Sequence, residues 1–213
     1  LKILQKDSVT VVSNGIDIDQ FYYEDQLERK EQILFIGNLG YAPNVRAAQY
    51  LINELMPRLW EKRPEARLLL AGARPTPWLK RIRDPRIELL GWVENIRDAY
   101  CQGAVFVAPL FTGSGMQNKI LEAMSVGVPC ITTEIVNDSI LAKPERDILL
   151  AEDADRFIEQ ILLLFDQEEV FRRLSKNGRA FIENNFPWEK ATQPLLRLLN
   201  KTIEIDNTPT YAK

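Results

Sequence analysis

The sequence predicts an open α/β fold, a mainly parallel six-stranded sheet with helices on both faces. Three observations carry this expectation. Short apolar runs recur along the chain without polar alternation, as strands buried on both faces require. Longer stretches with apolar residues at helical spacing separate them. The runs number six, the count of a doubly wound, Rossmann-like sheet.

The strands are read in order. Residues 33–36 (Ile-Leu-Phe-Ile) close at Gly37, and residues 67–71 (Arg-Leu-Leu-Leu-Ala) close at Gly72. Residues 87–90 end at Gly91, and residues 104–108 end at Pro109; residues 130–133 and 148–150 complete the set. Between them, Val45, Ala48, Ile52, Leu55, Met56 and Leu59 recur as one helical face, with Asn44 placed to cap it. A helix over 118–126 is stopped by Gly127 and Pro129, and two amphipathic helices follow over 155–165 and 170–182. Strands alternating with helices give right-handed crossovers as the default.

Both ends fall outside this alternation. Residues 1–32 read as an opening, interdomain segment with a turn at Asn14-Gly15, and residues 33–185 as the sheet domain. Residues 186–213 read as a C-terminal helix beginning near Glu189, with Pro194 in its first turn or kinking it, and a frayed tail.

Composition narrows the chemistry. A chain of 213 residues with 46% hydrophobic and 27% charged residues is globular and makes one or two domains at about 150 residues each. With 27 Lys and Arg against 30 Asp and Glu, the formal net charge is −3, and no long basic run offers itself to nucleic acid or an anionic membrane. No histidine is present, which removes Ser-His and Cys-His nucleophiles, a His general base and His-ligated zinc. Two cysteines, Cys101 and Cys130, make no disulfide framework and no Cys-type zinc site, and read as packed, reduced thiols in a cytoplasmic protein. No apolar run spans a bilayer, and no metal or other cofactor is expected. The Leu1 start fits a piece of a longer protein.

Ligands of open α/β sheets bind outside the carboxyl ends of the strands. Two strand ends here are glycine-rich and lead into helices: residues 37–44 (Gly-Asn-Leu-Gly-Tyr-Ala-Pro-Asn) and 113–119 (Gly-Ser-Gly-Met-Gln-Asn-Lys). Glycine admits close backbone approach, and a helix N-terminus offers free N–H groups and partial positive charge, which together suit a phosphate; a simple tight turn is the alternative. Neither loop is a P-loop, and GxGxxG is missing after the first strand, which disfavours a nicotinamide dinucleotide. Lys119 can neutralise a phosphate. Glu122 stands at the edge of an apolar helix, where a carboxylate either receives two hydrogen bonds from a vicinal diol or simply favours the helix dipole.

Residues 118–129 (Asn-Lys-Ile-Leu-Glu-Ala-Met-Ser-Val-Gly-Val-Pro), preceded by Gly113-Ser-Gly115, resemble the donor-binding domain of the retaining GT-B glycosyltransferases of family four, the glycosyl transferases group 1. Supporting pieces run in the family's order. Residues 12–17 (Val-Ser-Asn-Gly-Ile-Asp) look like its interdomain segment, and 33–37, 69–72 and 88–93 like its first three strands. Residues 186–189 look like the start of its closing helix.

The resemblance implies the C-terminal half of a GT-B fold that holds a nucleotide-diphosphate sugar against an N-terminal acceptor domain absent from this chain. It implies Glu122 on the ribose, Lys119 near the phosphates, and the backbone of Gly113, Ser114, Gly115, Met116, Gln117 and Asn118, with Leu121, along the diphosphate and sugar. Gly37, Asn38 and Arg46 would line the first loop, and Val93 and Glu94 would lie near the base. Ser114 stands where the family's E-x7-E motif has its first Glu, and Asn38 where the family often has Arg. Ser114, Lys119 and Glu122 are the expected catalytic set, with no metal. The expected activity is sugar transfer with retention, in polysaccharide or glycoconjugate synthesis at the inner face of the membrane. A non-catalytic sugar-nucleotide module and a sugar-nucleotide epimerase are the alternatives on the same fold.

Overall fold

The structure, a computed structural model, describes residues 10–112 and 115–206, the last six of these by backbone alone. Six parallel strands form one sheet: β1 (Gln32–Ile36), β2 (Arg67–Ala71), β3 (Ile87–Gly91), β4 (Val105–Ala108), β5 (Cys130–Thr132) and β6 (Leu149–Leu150). Their spatial order is β3-β2-β1-β4-β5-β6. The order reverses between β1 and β4, whose register pairs Ile33 with Val105 and Leu34 with Phe106. That reversal opens a crevice beyond the strands' carboxyl ends. β1 and β4 are buried nearly throughout, as continuous apolar runs require of central strands covered on both faces.

Helices cover the sheet: α1 (Ala42–Tyr50), α2 (Met56–Lys62), α3 (Ile96–Cys101), α4 (Asn118–Val126), α5 (Glu134–Asn137), α6 (Ala154–Asp166), α7 (Glu168–Asn185), α8 (Trp188–Ala191) and α9 (Gln193–Asp206). A 3-10 turn at Leu79–Arg81 completes the elements. α1 and α2 are joined by a π-helical segment, Leu51–Leu55, in which the Met56 N–H reaches the Leu51 carbonyl. Pro57 explains it: proline has no N–H to offer the Asn53 carbonyl, and its ring crowds that carbonyl. α4 ends where expected. Gly127 is left-handed at φ +96°, and its N–H closes on the Ala123 and Met124 carbonyls.

Three expectations are corrected. Asn44 does not cap the first helix; Tyr41 is the N-cap, and Asn44 lies inside the first turn, buried. α1 starts earlier because Pro43, with φ preset, is at home in a first turn. The turn near the start is not at Asn14-Gly15 but at 17–21, where Asp17 Oδ1 accepts from the Asp19 and Gln20 N–H groups. Nor does the sheet domain begin at residue 33: Ile16, Phe21 and Leu27 are buried in the same core. Arg179 fastens this segment by donating to the Phe21 and Ser125 carbonyls, and Arg97 stacks 3.4 Å from the centre of the Tyr22 ring.

The opening segment meets the chain just after α7. Ile16 pairs with Pro187, and its N–H donates to the Phe186 carbonyl at 2.7 Å. α9 follows with Pro194 in its first turn and leaves Leu195, Leu196 and Leu199 exposed. No helix among the described residues is long and apolar enough to cross a membrane.

Candidate active site

The crevice at the β1/β4 reversal is where two helices present their first turns. α1 follows β1 through Gly37-Asn38-Leu39-Gly40-Tyr41; α4 follows β4 through the second glycine loop. Neither N-terminus is capped by a side chain. The first loop is built tightly. Asn38 Oδ1 accepts from the Gly40 N–H, so the Asn38 side chain serves the turn. Gly72, at φ +134°, lies so close that a Cβ there would collide with the Gly37 carbonyl.

Three polar side chains and one backbone carbonyl join the loops across the crevice. Lys119 Nζ donates to Asn44 Oδ1 at 3.0 Å and to Gln117 Oε1 at 2.8 Å. Asn44 Nδ2 donates to the Asn38 carbonyl at 3.0 Å. A Cβ on Gly37 would come within 2.8 Å of that Nδ2 and 3.2 Å of Lys119 Cε, so this network needs a glycine at 37. Burial lowers the Lys119 ammonium to about 8, against the opposing pull of the Glu122 charge.

Glu122, half-buried one turn further on, receives the Tyr100 hydroxyl on Oε2 at 2.7 Å. Tyr100 is fully buried, in ring contact with Phe21 and Phe106, and its hydroxyl also lies 3.2 Å from the Lys119 carbonyl. Burial raises the Glu122 carboxyl above its usual range, while the Tyr100 hydrogen bond and the Lys119 charge act the other way. A carboxylate and an ammonium therefore stand on one face of α4, each held by a neutral partner. Such a pair can receive a diol at one end and an anion at the other.

The remaining expected residues divide. Gly37, Asn38, Gln117, Lys119 and Glu122 come together. Arg46 is exposed and donates to Thr112 Oγ1 at 3.2 Å, tying the two loops at the rim. Asn118 Oδ1 accepts from Asn14 Nδ2, which links α4 to the opening segment. Met116 is half-buried against the core, and Gly115 is left-handed at φ +95° with open space around it. Leu121 is corrected: it is fully buried, so its side chain packs the core and does not face the crevice. Val93 and Glu94 follow β3, two strands from β1; Val93 packs on the core and Glu94 is exposed. Gly113 and Ser114 lie outside the described residues. Sequence reasoning missed Asn44 and Tyr100. A buried tyrosine needs a partner for its hydroxyl, and that was the available signal for Tyr100.

A family model described as glycosyl transferases group 1 matches residues 30–167. The chain belongs to the glycosyl transferases group 1 family. An Escherichia coli relative, UDP-Gal:alpha-D-GlcNAc-diphosphoundecaprenol alpha-1,3-galactosyltransferase, is 31% identical over 84% of this chain and 50% of its own length. The lipopolysaccharide core biosynthesis mannosyltransferase LpsB of Rhizobium meliloti is 26% identical over 87% of this chain and 59% of its own. The chain thus spans about half the length of these curated relatives. Among solved structures, Anabaena HepE in complex with UDP-glucose superimposes at TM-score 0.74 with 15% identity, over 90% of this chain and 57% of that one. The C-terminal domain of a group 1 family protein from Francisella tularensis, at 15% identity, gives TM-score 0.68 over 82% of this chain and all of its own. The group 1 fold therefore matches the six-stranded sheet observed here.

Proposed function

We propose that this domain is the donor-binding half of a retaining glycosyltransferase, holding a nucleotide-diphosphate sugar in the β1/β4 crevice. One observation carries the reading: Lys119 and Glu122 stand on the first two turns of one helix, at the sheet's reversal point, each fixed by a neutral partner. Glu122 Oε1 and Oε2 accept the ribose diol. Lys119, with the free N–H groups of α1 and α4, takes the diphosphate. In transfer, the bond from the anomeric carbon to the diphosphate oxygen breaks, the acceptor oxygen bonds the same face, and the acceptor's proton passes to the leaving diphosphate. The charge that builds on the leaving diphosphate is met by Lys119 and the helix N-termini, with no divalent cation and no general base from this chain.

The acceptor site belongs to an N-terminal domain outside this chain. The named substrate of the Escherichia coli relative makes UDP the first nucleotide to test, and the diphosphoundecaprenol in its name supports a whole enzyme that works at the inner face of a membrane.

Titration calorimetry with UDP, GDP and ADP tests the reading. One nucleotide binds, and Glu122→Ala weakens it by about 1–3 kcal/mol, the cost of losing a charged hydrogen-bond partner. Binding unaffected by Glu122→Ala, or no binding by either this chain or the protein joined to its acceptor domain, overturns it.

A further inference from the structure

We propose that Asn44 is a positioning residue of the donor site: by tying the Asn38 carbonyl to the Lys119 ammonium, it aims the lysine at the diphosphate. The inference rests on the reading of Lys119 as the diphosphate ligand.

Asn44 is 4% exposed, within a helical turn whose other buried residues are Ala47 and Ala48. A buried amide in a helix is costly unless both its ends are satisfied. Local structure does not require it. The Asn38 carbonyl already receives the Tyr41 N–H at 3.1 Å, so its partner is supplied without Asn44. What Asn44 adds is the 3.0 Å acceptor for Lys119, a residue of the neighbouring helix 75 positions away in sequence.

Lysine is a point charge on four rotatable bonds, and unheld it spreads over many directions. Two neutral acceptors, Asn44 from α1 and Gln117 from its own loop, hold it without cancelling its charge. A carboxylate at 44 would hold it as well and neutralise it. Gly37 completes the arrangement, because any side chain there would displace the amide. Beyond its two amide acceptors, the charged group acting on the ammonium is Glu122 on α4, which raises its pKa, and the Tyr100 hydroxyl of α3 donates to the Lys119 backbone carbonyl.

The test compares diphosphates with their nucleosides: UDP with uridine, GDP with guanosine, ADP with adenosine, on this chain. In the unaltered chain one diphosphate binds more tightly than its nucleoside. Asn44→Leu, the same shape without polar atoms, lowers diphosphate affinity about tenfold and leaves the nucleoside within about twofold. Asn44→Asp, which keeps the size and the bond to Lys119, gives the same selective loss and supplies the result if the leucine variant fails to fold.

A second readout needs no ligand. The Lys119 Nζ titration, followed by NMR, moves below about 8 in Asn44→Leu, which removes an acceptor of the charged form, and above it in Asn44→Asp. Equal loss of diphosphate and nucleoside affinity, or an unmoved Lys119 titration, makes Asn44 merely structural and overturns the inference while the donor-site reading stands. If neither this chain nor the protein joined to its acceptor domain binds a diphosphate more tightly than its nucleoside, both readings are overturned.

Discussion

α1 and α4 leave neighbouring strands through glycine-bearing loops and aim their first turns at the same crevice, yet they are built differently. α4 carries the charge: Lys119 and Glu122 are half-buried on it, and it stops cleanly at the left-handed Gly127. α1 carries a neutral amide, Asn44, in its buried face, an exposed Arg46 at the rim, and passes into a π segment instead of a cap. One helix supplies charge and the other supplies direction. A fixed neutral dipole beside a charge keeps the charge available to a ligand, which an opposite charge in the same place would not.

The sharpest way to break this contrast is Lys119→Met. It removes the cation and lowers nucleoside diphosphate affinity by about 2–3 kcal/mol, measured by calorimetry, while nucleoside binding stays. The pH dependence has two opposite signs. Because burial lowers Lys119 to about 8 from the ordinary 10.5, the buried ammonium is a cost to the fold below pH 8, and that cost is relieved as pH rises from about 8 towards 10.5. Diphosphate binding needs the ammonium, so affinity falls over the same window and binding takes up a proton there. Lys119→Met abolishes both trends.

Gly127→Ala tests the clean stop of α4. A methyl at φ +96° is strained, and its carbon would lie 2.4 Å from the Tyr23 ring. A loss of about 2 kcal/mol follows, a fall in Tm of roughly 4–8 °C for a chain of this size. Tyr100→Phe is smaller. It leaves Glu122 without its hydrogen bond and costs about 1 kcal/mol in nucleoside affinity. That bond favours the ionised carboxylate, so the acid limb of nucleoside binding moves to higher pH in the variant. Arg46→Ala, which breaks an exposed rim contact to Thr112, changes diphosphate affinity by at most about 0.5 kcal/mol; a larger change would move charge onto α1 and blur the contrast.

The sequence made α4 legible and α1 only partly so, for physical reasons. α4 has local signals: glycines before it, Gly127 and Pro129 after it, and two charged residues on a helix otherwise apolar. The six strands were equally plain, since a strand buried on both faces has to be apolar throughout. Asn44 misled because asparagine is a common cap, and only the tertiary contact with Lys119 gives it another use. Tyr100 and Glu122 meet across 22 positions of sequence, a pairing that no local pattern encodes. Leu121, next to Glu122 in sequence, is buried in the core because adjacent residues on a helix point about 100° apart.

The π segment at Leu51–Leu55 governs more than the shape of α1. Each residue of an α-helix advances its rotational phase by about 100°, and a π turn absorbs one extra residue without breaking the rod. Downstream, Leu55, Met56 and Leu59 are locked into the core. Upstream, Asn44 has to face Lys119. The wide turn is the gear between these two settings. Wound as regular α-helix with no residue removed, the segment would swing Asn44 about a quarter turn away from the lysine, whereas deleting one residue of 51–55 would take out the wide turn and leave both settings in place.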